Sequence, residues 1–211
     1  MKSLLLVLCL AGSVGVVSAQ QLREVKSSTS TDRDSEAQLQ LSTAIDGQRY
    51  AVESGRKLLY LTLELTYTNT GTRPILLDRQ SSLVYRKILS KSLKAAAEKK
   101  YKYDESLSFI DVRSMKVAGM QRDGGPDREA FTTLGSGQSY RLKKEVSLQL
   151  SDGTKDTNDL LHPGNYVLEL KVATWFYLAD PVVYREKWQD AGYLWTQNIT
   201  SIPMSLRVEK R

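Results

Sequence analysis

"LLYLTLELTYTNTGTRPILL", Leu58 to Leu77, decides the fold. Its first half alternates: Leu59, Leu61, Leu63, Leu65 and Tyr67 share one parity, and Tyr60, Thr62, Glu64 and Thr66 share the other. A period of two puts these five large side chains on one face of a strand, whereas a helix would scatter them around its circumference. "TNTGTRP" then supplies Asn69 and Gly71, which tolerate positive φ, and Pro74, which opens the next segment where its missing N–H does least harm. The stretch reads as strand, turn, strand. Its turn lacks the glycine pattern and the following helix of a phosphate-cradling loop.

Outward from this ribbon the same texture recurs. Ala37 opens an earlier alternating segment, joined to the ribbon through a polar, Gly-containing turn. "SSLVYRKILS" (81–90), "LSFIDV" (Leu107 to Val112), "SYRLKKEVSLQL" (Ser139 to Leu150), "NYVLELKVATWFY" (Asn165 to Tyr177) and "PMSLRV" (Pro203 to Val208) read as further strands. "SLKAAAEKK" reads as one short helix with Ser92 as its N-cap and three alanines inside. "GMQRDGGPDREAF" carries too much Gly, Asp and Pro for anything but a loop. Short strands, turn signals, one brief helix and no alternating βα pattern predict an all-β protein, an antiparallel β-sandwich with a short helical excursion.

The flanks place this domain. Residues 1–19, "MKSLLLVLCLAGSVGVVSA", have one Lys, an apolar run from Leu4 and small residues before Gln20, the layout of a secretory signal peptide cleaved after Ala19. The apolar run is broken by Gly12, Ser13 and Gly15 and is short for a bilayer span, so no transmembrane segment is expected after cleavage. Residues 20–36 are polar and aperiodic, a flexible leader. Residues 37–211 then form one domain with insertions near 90–103 and 178–198. Cys9 is the sole cysteine and leaves with the signal, so disulfides, thiolate catalysis and cysteine–zinc sites go together. Such a chain fits a secreted or periplasmic protein. The net charge of +6 falls by one on loss of Lys2. Most of the excess is local: Arg86, Lys87, Lys91, Lys94, Lys99, Lys100 and Lys102 are opposed in that interval only by Glu98. An exported protein meets little nucleic acid, so the run reads as a solvated helix face or, functionally, as a contact for an envelope glycan or lipid head group.

"LHPGNYVLELKV" sets Pro163 and Gly164 in a turn and Tyr166 at the entrance of a strand, an arrangement similar to the tyrosine corner of immunoglobulin-like sandwiches. The order of "LELTYTNTGTRPILL", "LGSGQSYRLKKEVSL" and "LHPGNYVLEL" resembles bacterial immunoglobulin-like modules of the kind seen in the intracellular proteinase inhibitor family, over residues 58–175. The resemblance implies an immunoglobulin-like fold and leaves function open, because sandwiches host many unrelated activities. The chain departs from it between Ser81 and Thr133, where such modules are compact, and lacks the immunoglobulin cysteine pair. Its export also keeps an inhibitor role from being carried over.

The inventory for catalysis is poor. His162 is the only histidine and sits before Pro163 at a corner, so a Ser-His-acid triad would depend on a turn residue. A metal centre of several histidines is impossible, and "DGTKDTND" (Asp152 to Asp159) lacks the glycine and terminal glutamate of a calcium loop. No catalytic residue, metal or cofactor is expected. A hydrolase built on two facing carboxylates stays formally open. The aromatic residues are the stronger asymmetry. Every Trp lies between Trp175 and Trp195, with Phe176, Tyr177, Tyr184 and Tyr193. Trp175, Tyr184, Trp188, Tyr193 and Trp195 are the candidate binding residues, flat faces for a sugar ring or a protein, unless they cap the sandwich as core. The expected function is a non-enzymatic module with an envelope structural or protein-interaction role, its partner an unknown protein or an envelope glycan; the alternative is a glycan-binding module using 175–195.

Overall fold

The structure, a computed structural model, describes residues 36–79, 82–107, 125–151, 160–175, 177 and 179–210. Among them run β1 (Leu39–Glu53), β2 (Arg56–Asn69), β3 (Ile75–Asp78), β4 (Leu83–Ser90), α1 (Leu93–Ala97), β5 (Tyr101–Ser106) and β6 (Phe131–Leu134). β7 (Ser139–Gln149), β8 (Gly164–Ala173), α2 (Pro181–Lys187), β9 (Tyr193–Leu194), β10 (Ile199–Thr200) and β11 (Met204–Val208) complete the order. The protein is all-β, with antiparallel sheets and few helices. No helix among the described residues is long and apolar enough to cross a membrane.

The ribbon organises the first sheet, ordered β1-β2-β7. β1 and β2 turn on Ser54 and Gly55, whose φ of 48° and 76° match the two-residue hairpin turn that follows strand twist. Period-two burial holds along β2: Leu59, Leu61, Leu63, Leu65 and Tyr67 are all 0% exposed. The second sheet is ordered β10-β8-β4-β5, with β11 continuing along β8 beyond β10. Its inward residues, Leu168, Leu170 and Val172 of β8, Leu89 of β4 and Tyr103 of β5, join the leucines of β2 in one core. The two sheets are stitched along both sides. On one, Leu41 bridges Ser201, and the Ile202 N–H donates to the Leu41 carbonyl at 2.8 Å. On the other, Leu150 bridges Leu161.

The turn after β2 does more than reverse the chain. Asn69 is fully buried; its amide nitrogen donates to the carbonyls of Arg73 and Leu134, both at 2.9 Å, and its oxygen accepts from Gly71 N at 3.0 Å. That clamp sets β3 against β6 in a third sheet, ordered β6-β3-β9. At Gly71 a Cβ would lie 2.2 Å from the Glu36 carbonyl oxygen, so the start of the domain packs on bare backbone there. At the far end of the chain, Tyr166 donates its hydroxyl to the His162 carbonyl at 2.9 Å, tying the entrance of β8 to the turn before it. Ser92 caps α1 by accepting from Ala95 N at 3.1 Å.

Two expectations change. "YKYDES" forms β5, although it has no apolar alternation; it closes the sheet beside β4 through the register Leu89 to Tyr103. The insertion near 178–198 contains α2 and, after it, β9, which pairs with β3 in parallel, so pairing is not antiparallel throughout. The strand expected at Leu107 to Val112 and the loop at Asp152 to Asp159 lie, apart from Leu107, outside the described residues.

Candidate functional site

The five aromatic candidates do not converge on one surface. Trp175, Tyr184 and Trp188 pack with Phe131 and Tyr177, their ring centroids 5.0 to 6.4 Å apart at tilted angles. Leu76 of β3 and Leu194 of β9 floor this cluster, so the small third sheet exists to seat it. Tyr193 and Trp195 belong instead to the main core, edge to face at 6.2 Å. The sequence proximity of these residues is split by β9, whose pairing with β3 turns successive side chains into different cores.

Burial limits what the rings can touch. Trp188 is 8%, Tyr193 6% and Trp195 0% exposed, and the Trp195 indole N–H donates to the Gln197 carbonyl at 3.0 Å. None of these three offers an open stacking face. Trp175 and Tyr184 are half-buried. Beside them on α2, Val182 and Val183 are 51% and 58% exposed. Gly125 lies against Tyr184 so closely that a Cβ would sit 1.3 Å from the phenol oxygen and push that ring aside.

The basic run is dispersed across several elements. Arg86 pairs with Asp104 through two contacts, 2.8 and 2.6 Å. Lys87 pairs with Glu105 at 2.8 Å, and Lys100 with Glu98 at 2.7 Å. The Lys91 ammonium stands 3.9 Å from the Tyr166 ring centroid. α1 itself spans only Leu93–Ala97, so the solvated face expected of a helix accounts for a fraction of the charge.

A polar cleft runs between the edge of β7 and the strands β4 and β5, at residues that the sequence, Lys87 apart, did not single out. Its wider part, about 810 Å³, is lined by Glu53, Arg56, Tyr103, Glu105, Ser147 and Gln149. Its narrower part, about 340 Å³, is lined by Ser82, Val84, Lys87, Lys144 and Val146 and shares Ser147. Lys87 divides the two. Its side chain is 13% exposed, and its ammonium donates to Glu105 Oε1 at 2.8 Å and to the Ser147 carbonyl at 2.7 Å. The Tyr103 hydroxyl donates to the other Glu105 oxygen and accepts from Gln149 N at 3.2 Å. The signal was in the alternation: Lys144 shares parity with Leu142, Val146 and Leu148, and Glu105 with Tyr103, so each occupies an inward position of its strand.

Asp104 is held below the usual carboxylate range, chiefly by its hydrogen bond from Arg86. Burial pushes the Glu169 carboxyl up, with Lys171 and Arg86 opposing the shift. Asp104 and Glu105 are neighbours on one strand and so point to opposite faces, which bars them from acting as a facing pair. His162 lends its carbonyl to Tyr166 at the corner before β8. A third, apolar slot of about 310 Å³ opens near the β1–β2 hairpin between Leu58, Leu150, Leu161, Pro163 and Val208. No protein-family model, curated protein or solved structure matches the chain.

Proposed function

We propose that the chain is exported by its first nineteen residues and works as a non-enzymatic, immunoglobulin-like sandwich module in the periplasm or outside the cell, in envelope structure or protein contact. The observation that carries this reading is the burial of Trp188, Tyr193 and Trp195, the best-placed aromatic candidates for ligand contact, inside the two cores. Two sheets sharing one aliphatic core and the Tyr166–His162 corner bond support the immunoglobulin-like assignment. One observation favours glycan binding as the second reading: Trp175 and Tyr184 keep partial exposure next to Val182 and Val183.

The test begins with expression of the whole chain in a bacterium and intact-mass measurement of the protein outside the cytoplasm. A chain beginning at Gln20 is expected; retention of residues 1–19 in the membrane fraction overturns the export reading. The recovered protein is then titrated with envelope polysaccharides while tryptophan fluorescence is followed, and cross-linked in intact cells. Flat fluorescence with a discrete cross-linked protein partner is the expected outcome. Saturable quenching by one sugar class transfers the function to the glycan-binding alternative.

A further inference from the structure

The narrower part of the cleft has the chemistry of an anion site. We propose that Lys144 and Lys87, with the Ser82 hydroxyl, bind a small ligand through a single carboxylate or phosphate group held between the two sheets.

Three features of the pocket point there. First, Lys144 occupies an inward position of β7, directly across from Leu63, which is 0% exposed. Its half-buried side chain lines the pocket, and among the described residues it has no carboxylate within ion-pair range. Lysines to either side of the same sheet behave differently: Lys143, on the outer face, is matched by Asp46 at 2.7 Å. Second, Lys87 uses two of its three N–H groups on Glu105 and Ser147, which leaves one to donate. Third, the Ser82 oxygen accepts from the Tyr67 hydroxyl at 3.0 Å, so the serine keeps its own proton to give. Burial pushes the Tyr67 phenol up to about 12, so it stays protonated and able to donate.

Two ammonium groups and a hydroxyl donor thus border about 340 Å³ with apolar walls, Val84 and Val146. The one acid that contributes to the lining, Glu145, carries its carboxylate on the outer face of the first sheet, 3.8 Å from Arg49. Glu105, which lines the wider part of the cleft, neutralises Lys87, so a ligand of one negative charge balances Lys144. Donor-bearing side chains lining one small volume beside apolar ones are what a carboxylate or phosphate needs when it leaves water. An inward lysine on an edge strand also discourages strand addition from another molecule. That role alone would leave Lys144 indifferent to anions, which makes the two separable. The site does not depend on whether the module is a scaffold or a glycan binder.

The experiment uses the whole mature chain with ¹³C-labelled lysine incorporated during expression, titrated by NMR with D-glucuronate in one arm and inorganic phosphate in the other at constant ionic strength. The expected result is a saturable shift of the Lys144 ε-methylene resonance in at least one arm. The arm that saturates first identifies the carboxylate or the phosphate as the preferred group. Lys144→Gln is expected to weaken that binding by about tenfold or more, the scale of one charge-assisted hydrogen bond, and Lys143→Gln to leave it unchanged. Both variants sit on a strand edge and are checked for folding by far-UV dichroism, and the parent titration stands without them. Linear, non-saturating shifts in both arms, or equal losses in the two variants, overturn the site.

Discussion

The ribbon from Leu58 to Leu77 and the segment from Trp175 to Trp195 both bury large side chains, and they do so by opposite means. In the ribbon, burial follows from backbone geometry. Alternate residues of β2 point inward whatever lies opposite, and a second sheet of leucines and valines fills the space. In the aromatic segment, burial depends on particular distant partners: Trp188 meets Tyr184 nearby in the chain, but its cluster is completed by Phe131 of β6 and Leu76 of β3. The first region resists disturbance as part of the whole fold. The second depends on a sheet of short strands and on one glycine.

That contrast can be broken at its strongest point. Leu63→Ala removes a fully buried side chain from the middle of the first sheet and is expected to cost about 3 kcal/mol. In chemical denaturation, dichroism and tryptophan fluorescence should fall together at a lower midpoint; separate transitions would mean that ribbon and aromatic cluster do not share one cooperative unit.

A smaller effect should sharpen the contrast. Gly192 holds φ 138°, and a Cβ there would lie 2.7 Å from the Pro74 carbonyl oxygen. Gly192→Ala is expected to cost about 2 kcal/mol. The damage should be local, with faster amide exchange at Tyr193 and Trp195, whose N–H groups donate to Pro74 and Leu76 at 2.7 and 3.0 Å. Leu61 and Leu65 should keep their protection. Equal loss in both places would erase the distinction between the regions.

The smallest effect concerns charge on the outer face of the second sheet. Burial raises the Glu169 carboxyl above its ordinary 4.5, so the folded state disfavours the anion. The resulting destabilisation is present above the folded pKa and fades as pH falls below the unfolded value. Glu169→Gln should therefore raise the unfolding midpoint slightly at about pH 7 and match the parent near pH 4. A gain that persists at the acid end would assign the effect to packing.

The same contrast explains what the sequence disclosed. β2, the Ser92 cap and the Tyr166 strand entrance were legible because each is specified within a few residues: parity, a cap three residues from its donor, a phenol four residues from its acceptor. β5 was not, because Tyr101–Ser106 carries polar residues whose inward members, Tyr103 and Glu105, are satisfied by β4 and β7. β9 was not, because two residues leave no period, and its partner lies far back in the chain at Ile75. Of the candidate site, the aromatic clustering was visible, but its division between two cores needed the β3–β9 register. The cleft was hidden for a different reason. Lys87 stood in a run of like charge and Lys144 beside Lys143, and such lysines ordinarily belong to solvent. Parity alone marked them as inward, and parity was outweighed by residue type.

The seam joining Leu41 to Ser201 has a mechanical side. β1 and the β10–β11 stretch travel in the same direction, stitched at one end by that bridge and at the other by the Glu209 N–H on the Tyr50 hydroxyl at 2.9 Å. Tension applied between Ala37 and Lys210 would pull these neighbours past each other, so the stitches share the force in shear. Unpeeling them one at a time would take a pull from the side, which a tether at the two ends does not deliver.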